Sequence, residues 1–202
     1  PRRDRAVAEL AGGVEPPAFQ RAVRVPGAGV ATSDAHLGQA GEDLLLERKA
    51  ALMDRMSKML ALFNYGTLPF YWGRFEPEEG EPQTEALLRA ADWLRGRGVV
   101  VKGHPLCWHT VCAPWLMRYD NKTILKKQLG RIRREVADFK GRIDTWDVIN
   151  EVVIMPVFDK YDNAVTRIAK DLGRVGIVKA VFEAARETNP GATLILNDFD
   201  MS

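Results

Sequence analysis

Four short stretches of the sequence carry the side chains best suited to chemistry, and each follows an apolar run. The stretches contain Tyr65, Tyr71 and Trp72; His104, Trp108 and His109; Asn150 and Glu151; and Asn197 and Asp198. Tryptophan and tyrosine rings can cover the apolar faces of a pyranose, while asparagine, histidine and carboxylate groups bind its hydroxyls. Together these residue types predict a cleft suited to sugar rings.

The apolar runs that precede these residues predict strands alternating with helices. Strands are predicted at 27–32, 60–65, 99–101, 143–149 and 193–196, and helices at 45–60, 87–94, 125–139 and 177–185. Such alternation is typical of βα units around a parallel sheet. The architecture is then either a doubly wound sheet or part of a (β/α)₈ barrel. In a barrel the carboxyl ends of the strands open onto one face, where the four stretches would converge.

Composition and charge exclude several classes of protein. The 202 residues have ordinary globular composition, with 46% hydrophobic and 28% charged residues. The net charge of +2 gives no argument for nucleic acid or an anionic membrane as partner. The longest apolar run is far below the ~18 residues of a membrane helix. Cys107 and Cys112 are too few for a disulfide scaffold, so we expect them to act as small apolar side chains.

Several catalytic motifs are absent. Gly-x-Gly-x-x-Gly does not follow any predicted strand, which argues against a dinucleotide site. Gly-x-Ser-x-Gly is missing, which argues against a serine hydrolase. His104 and His109 are spaced as neither His-x-His nor His-Glu-x-x-His, so they match no common metal motif.

Four motifs together resemble glycoside hydrolase family 10. They are Phe75-Glu76-Pro77-Glu78-Glu79-Gly80, Gly103-His104-Pro105-Leu106-Cys107-Trp108-His109 with Pro114-Trp115, Trp146-Asp147-Val148-Ile149-Asn150-Glu151, and Asn197-Asp198-Phe199. They occur in the family's order and are separated by helices of suitable length. The resemblance covers roughly residues 40–202 and implies an incomplete (β/α)₈ TIM barrel with about the first five strands. It divides the chain into an upstream segment or linker, 1–25, and a partial barrel, 26–202.

The resemblance implies a retaining hydrolase that cleaves internal β-1,4-glycosidic bonds of xylan or a related β-glycan. Glu151 matches the general acid/base, which donates a proton to the leaving oxygen. The residues expected to bind substrate are His104, Trp108, His109, Asn150, Trp72, Asn197 and Phe199. Asn150 would bind the 2-hydroxyl of the sugar being cleaved. A cis peptide is expected at His104–Pro105. No cofactor is implied, and family members are usually secreted, which predicts a secreted or periplasmic protein.

Two departures from the family pattern limit what the resemblance implies. The family's nucleophile is a glutamate on a later strand, and these 202 residues contain no match for it. A fragment of this kind is expected to be inactive alone. The family's Glu, Asn and Lys near the first cleft loop are replaced by Thr67, Leu68 and Tyr71. The preference for xylan over another β-glycan is therefore open.

Other interpretations and structural roles remain to be tested. A sugar-binding barrel that has lost catalysis is the main alternative, and a metal-dependent hydrolase using His104, His109 and Asp198 is a weaker one. His109 is as easily a buried structural histidine as a sugar contact. Structural roles are expected for a buried Asp147, a solvated arginine face and a core stripe of methionines. The last two comprise Arg131, Arg133 and Arg134, and Met53, Met56 and Met59.

Overall fold

The computed structural model describes residues 39–199, which belong to two compact units divided between Asn64 and Tyr65. The predicted linker at 1–25 and the predicted strand at 27–32 lie outside the described residues. The first unit is represented by helix α1, Gln39–Leu62, and the second contains a parallel sheet and its helices.

Helix α1 confirms the predicted helix but corrects two details. It continues through Leu62, so the strand predicted at 60–65 is wrong. A short apolar run fits the end of a helix as well as it fits a buried strand, and periodicity alone does not separate them. Met53 is 51% exposed and Leu52 46% exposed. The expectation of a buried methionine stripe is therefore wrong for Met53, because apolar residues are spread around this helix.

Four parallel strands form the sheet of the second unit. They are β1 (Tyr65–Pro69), β2 (Val100–His104), β3 (Thr145–Asn150) and β4 (Thr193–Asn197). Neighbours in the sheet follow the chain in the order β1-β2-β3-β4. The predicted parallel sheet is confirmed, and within the described residues it comprises four strands. The first of them is five residues later than predicted, so Tyr65 begins β1 instead of ending it.

Helices connect the strands as the apolar periodicity predicts. They are α2 (Trp72–Phe75), α3 (Thr84–Arg95), α4 (Asn121–Asp138) and α5 (Ala164–Thr188), with short 3₁₀ helices at Pro114–Arg118 and Met155–Val157. Asp120 caps α4 by accepting a hydrogen bond from the Thr123 amide at 2.7 Å. Gly173, with φ of 67°, interrupts α5. No helix within 39–199 has the length and apolar character needed to cross a membrane.

The core packs around Trp146, which β3 carries and which is fully buried. Its ring makes an edge contact with Phe70 at 4.9 Å between centroids and another with Phe139 at 6.2 Å. On β2, Gly103 lies directly against this ring: a Cβ there would be 2.2 Å from Cζ3 of Trp146. Gly103 therefore leaves the space in which the indole of the neighbouring strand lies.

Replacing Gly103 by alanine should destabilise the protein by about 1–3 kcal/mol or more, because the enclosed Trp146 ring cannot move away from the new methyl group. Gly130→Ala is the matched control, since Gly130 is exposed on α4 and has nothing within 4 Å of its added Cβ. That control should stabilise the helix by about 0.5–1 kcal/mol. Urea-unfolding midpoints measure both, and equal midpoints for the two variants would contradict the packing described.

Candidate active site

The parallel register brings the predicted site residues to one edge of the sheet. Pro69 pairs with His104 at the ends of β1 and β2, and Asn150 pairs with Asn197 at the ends of β3 and β4. All four strands run in the same direction, so the residues that follow them emerge on the same side. The convergence expected from the sequence is thus present.

Glu151 is the first residue after β3 and has an unusual backbone conformation. Its φ is 56°, in the left-handed region that non-glycine residues rarely adopt. The Glu151 amide donates to the Asn197 carbonyl at 2.9 Å, and its own carbonyl accepts from Met155 at 3.2 Å. These bonds hold the strained residue in place. Its side chain is 23% exposed, so the carboxyl group is accessible at the strand ends.

The indole of Trp108 holds the Glu151 carboxyl group. Its Nε1–H donates to Oε2 of Glu151 at 2.8 Å, across 43 residues of sequence. Trp108 lies in the loop after β2, so this bond joins the ends of two neighbouring strands. The carboxyl group is thus oriented through one of its two oxygens.

Asp147 organises the interior side of the site and precedes Asn150 by three residues on β3. Its Oδ2 accepts hydrogen bonds from His104 Nδ1 and Lys102 Nζ, both at 2.7 Å. Burial raises the pKa of Asp147, but the hydrogen bonds from His104 and Lys102 outweigh it and hold the pKa below its ordinary value. The expected burial of Asp147 is confirmed. The bond to Nδ1 also fixes the orientation of the His104 ring.

Three rings remain partly exposed at the strand ends, while their sequence neighbours are buried. Tyr71 lies 5.8 Å from His104 and 5.6 Å from Trp108, measured between ring centroids. Trp72, which was expected in the cleft, is instead 4% exposed and donates its Nε1–H to Glu76. The structure therefore brings His104 and Trp108 together with Tyr71, and places Trp72 in the core.

His109 is buried directly behind the Glu151 carboxyl group. It is 1% exposed, its Nε2 lies 3.9 Å from Oε2 of Glu151, and its ring is 4.4 Å from that of Phe158. Burial lowers the pKa of His109 to about 4, with a smaller opposing effect of Asp198. The imidazole is thus neutral at pH 7. This placement favours the interpretation of His109 as a buried structural histidine, with the edge of its ring beside the Glu151 carboxyl group.

The ends of β3 and β4 are joined by an amide pair. Asn197 Nδ2 donates to Oδ1 of Asn150 at 2.6 Å, and Asn150 is 4% exposed. Asp198 accepts from the backbone amides of Val153 and Phe199 at 3.0 and 2.9 Å, which ties the β3 loop to the β4 end. Phe199 is 58% exposed. Asn150 and Asn197 thus lie beside Glu151, at the ends of β3 and β4.

Arg131 is a supporting residue that sequence reasoning placed wrongly. It was expected on a solvated face, but it is 4% exposed. Its guanidinium donates to the carbonyl oxygens of Leu106 at 2.6 Å and of Phe70, and to Glu135 at 3.0 Å. These carbonyls lie just before Cys107-Trp108 and just before Tyr71. Arg134 also donates a hydrogen bond, to Glu76 at 2.6 Å. Of the three arginines, Arg133 is the one that lies on a solvated face as expected, with its side chain 48% exposed.

A metal centre finds no support among the residues at 39–199. That part of the chain contains no group of three or more His, Cys, Asp or Glu residues placed to hold an ion. His104 is occupied by Asp147, and Asp198 by two backbone amides.

The expected cis peptide at His104–Pro105 is confirmed, and it lies in the loop that carries Trp108.

Lowering the pH from about 6.5 to 4 should lower the free energy of unfolding, because His109 is buried in its neutral form. The unfolded chain binds a proton near pH 6.5, while the folded protein resists protonation until about pH 4. Stability is therefore complete above pH 6.5 and falls through this interval. Between pH 7 and 5 the free energy of unfolding of His109→Gln should fall by about 1–2 kcal/mol less than that of the parent, measured by urea unfolding at each pH. Equal losses for the two proteins would exclude a buried neutral imidazole.

Two known proteins that are similar to this chain are named as xylanases. The chain is 31% identical over 132 residues to endo-1,4-beta-xylanase B of Paenibacillus barcinonensis, covering 61% of this chain and 38% of the relative. It is 25% identical over 131 residues to endo-1,4-beta-xylanase 3 of Hypocrea jecorina, covering 64% and 36%. The chain thus spans little more than a third of the length of these relatives.

Solved structures show the same architecture. Xylanase 10B from Thermotoga petrophila, in complex with xylobiose, superimposes with a TM-score of 0.59 at 28% identity, covering 71% of this chain and 43% of that one. The second unit is therefore part of a (β/α)₈ barrel, as predicted. Residues 28–202 match the model of glycosyl hydrolase family 10, and the chain belongs to that family.

Proposed function

We propose that this chain supplies the acid/base half of a retaining glycoside hydrolase that cleaves internal β-1,4 bonds of xylan or a related β-glycan. One observation carries the proposal: Glu151 projects from the end of β3 with one carboxyl oxygen bound by Trp108 at 2.8 Å and the group still accessible. Family membership and the xylanase names of the relatives supply the reaction class.

The geometry suits a group that delivers and later removes a proton. In the first step Glu151 would protonate the glycosidic oxygen as the bond to the sugar breaks. In the second it would accept a proton from the water that attacks the glycosyl-enzyme. Because Trp108 occupies Oε2, the other oxygen is the one we assign to this transfer. The backbone hydrogen bonds of Glu151 to Asn197 and Met155 would keep the carboxyl group in one place through both steps.

The neighbours of Glu151 would orient the sugar. Asn150 is held by Asn197, so its amide group has a fixed direction toward the strand ends. His104 is held through Nδ1 by Asp147, which leaves Nε2 for a sugar hydroxyl. Trp108 adds an aromatic surface between them. We assign these residues to the subsite beside the scissile bond, and Phe199 to its rim.

A second carboxyl group is needed, and the residues beside Glu151 do not offer one. A retaining enzyme requires a nucleophile about 5–5.5 Å from the acid. Asp147 is buried and bound by Lys102 and His104, and Asp198 is bound by two amides. The relatives are more than twice as long as the matched region. We therefore assign the nucleophile to sequence outside these 202 residues.

A sugar-binding barrel without catalysis is the alternative that the replacements Leu68 and Tyr71 allow. Binding alone does not require a proton donor held by a dedicated hydrogen bond, so the contact between Trp108 and Glu151 favours the hydrolase. The expected partner is a polysaccharide, with no cofactor required by the residues at the site. A secreted or periplasmic location remains a proposal from the family.

Glu151→Gln should lower kcat/KM on xylan by about 10²–10⁴-fold, because the amide cannot protonate the leaving oxygen. On a dinitrophenyl β-xylobioside the loss in kcat/KM should be under about tenfold, since that phenolate leaves without a proton. Both assays use the full-length gene product. Glu187→Gln, an exposed glutamate on α5, is the matched control and should change neither value. Equal losses on the two substrates, or none, would exclude the acid role.

The 202-residue chain alone should show no steady turnover of xylan, because it carries one of the two required carboxyl groups. Tryptophan fluorescence and circular dichroism of the same sample would establish that it is folded. The full-length gene product provides the positive control. Steady xylan hydrolysis by the short chain, abolished by Glu151→Gln, would show instead that the nucleophile lies within residues 1–202.

A further inference from the structure

Three successive aromatic residues follow β1 and face in different directions. Phe70 is fully buried and Trp72 is 4% exposed, and both belong to the core. Tyr71 lies between them and is partly exposed on the side of the strand ends. Since its two neighbours already fill the core beneath this loop, the Tyr71 ring is not required there. Its exposure to the cleft is what needs an explanation.

The surroundings of Tyr71 hold its ring in a defined place. Its edge-on contact with His104 is at 5.8 Å and its tilted contact with Trp108 at 5.6 Å. The guanidinium carbon of Arg74 lies 5.6 Å from the Tyr71 ring centroid. Beneath it, Arg131 binds the carbonyl of the preceding residue, Phe70. The Tyr71 ring is thus packed beside Trp108, the residue that hydrogen-bonds Glu151.

The segment from β1 to Tyr71 itself brings no ionic group to this aromatic surface. From Tyr65 to Tyr71 the chain reads Tyr-Gly-Thr-Leu-Pro-Phe-Tyr, with no charged side chain. Leu68 is 8% exposed, and the Thr67 hydroxyl is buried without a hydrogen-bond partner in the described residues. A ligand that binds at the end of β1 would therefore contact the ring of Tyr71. Aromatic surfaces of this kind bind the apolar faces of sugar rings.

We propose that Tyr71 is a substrate-binding residue whose ring, next to Trp108, packs against the face of a pyranose one or more units away from the scissile bond. The inference rests on the proposed function and names a contact for the same cleft. A wall that binds a ring face does not hydrogen-bond the substituent at C5. Packing of this kind discriminates between related substrates by about 10–200-fold at most, whereas hydrogen bonding reaches much larger ratios. Xylo- and gluco-configured β-1,4 chains should both be accepted there.

Steady-state kinetics of Tyr71→Ala and Tyr71→Phe in the full-length gene product test this assignment, on xylo- and cello-oligosaccharides long enough to fill the cleft. Tyr71→Ala should raise KM about tenfold on both series while kcat changes less than about twofold. Tyr71→Phe should keep both constants within about twofold, because the ring and not the hydroxyl makes the contact. Tyr65→Ala is the matched control: the same residue type, 37% exposed, at the opposite end of the same strand.

Three results would overturn the assignment. An unchanged KM in Tyr71→Ala would show that the ring does not contact substrate. An equal rise in KM in Tyr71→Phe would show that the hydroxyl makes the contact. A fall in kcat with KM unchanged, or a displaced pH profile, would make Tyr71 a positioning residue for Trp108 instead. Turnover that survives Glu151→Gln on xylan would count against the proposed function and not against Tyr71, so the two failures are distinguishable.

Discussion

The buried guanidinium of Arg131 connects the two loops on which the candidate site depends. It donates to the carbonyls of Phe70, after β1, and Leu106, after β2, and it is paired with Glu135. Gln128 donates to the same Leu106 carbonyl at 3.0 Å. A buried cation is tolerated when its donors are satisfied and an anion lies beside it. Helix α4 thereby fixes the positions from which Tyr71 and Trp108 project.

Above this support, the site separates buried polar groups from partly exposed rings. Asp147 is enclosed and holds His104, while Asn197 holds Asn150. Both arrangements use side chains that are costly to bury alone and that become stable when paired. Glu151 is the exception: it remains accessible and accepts a bond from Trp108. Accessibility of the carboxyl group and fixed orientation of its neighbours are the two properties that proton transfer to a bound sugar requires.

Sequence patterns predicted the elements better than their ends. Strands β2, β3 and β4 were recognisable from apolar runs followed by polar residues, and the parallel sheet followed from their alternation with helices. Strand β1 was misplaced because the apolar run that ends α1 fits a buried strand as well as the end of a helix. In α4, Ile124, Gln128, Arg131 and Glu135 share the buried face by spacing. Their spacing is compatible with burial on one face, whereas the polar side chains of Gln128, Arg131 and Glu135 suggested exposure to solvent.

Within the site, motifs identified the residues but not their contacts. The bond from Trp108 to Glu151 joins residues 43 positions apart and depends on the register of β2 and β3. The same is true of the positive φ at Glu151, a residue whose amide donates to the Asn197 carbonyl on the next strand. Trp72 and Tyr71 could not be assigned to core or cleft by type, because both are large aromatics. Their separation follows from the turn into α2, which directs adjacent side chains to opposite sides.

A crystal structure of the full-length gene product carrying Glu151→Gln, with a xylo-oligosaccharide spanning the cleft, tests the account most directly. The decisive quantities are two distances from the side chain at position 151. It should lie within about 3.2 Å of the glycosidic oxygen and about 5–5.5 Å from a second carboxylate across the sugar. A sugar bound with its glycosidic oxygen beyond hydrogen-bonding reach of position 151, or a second carboxylate about 6.5–9.5 Å away, would contradict it.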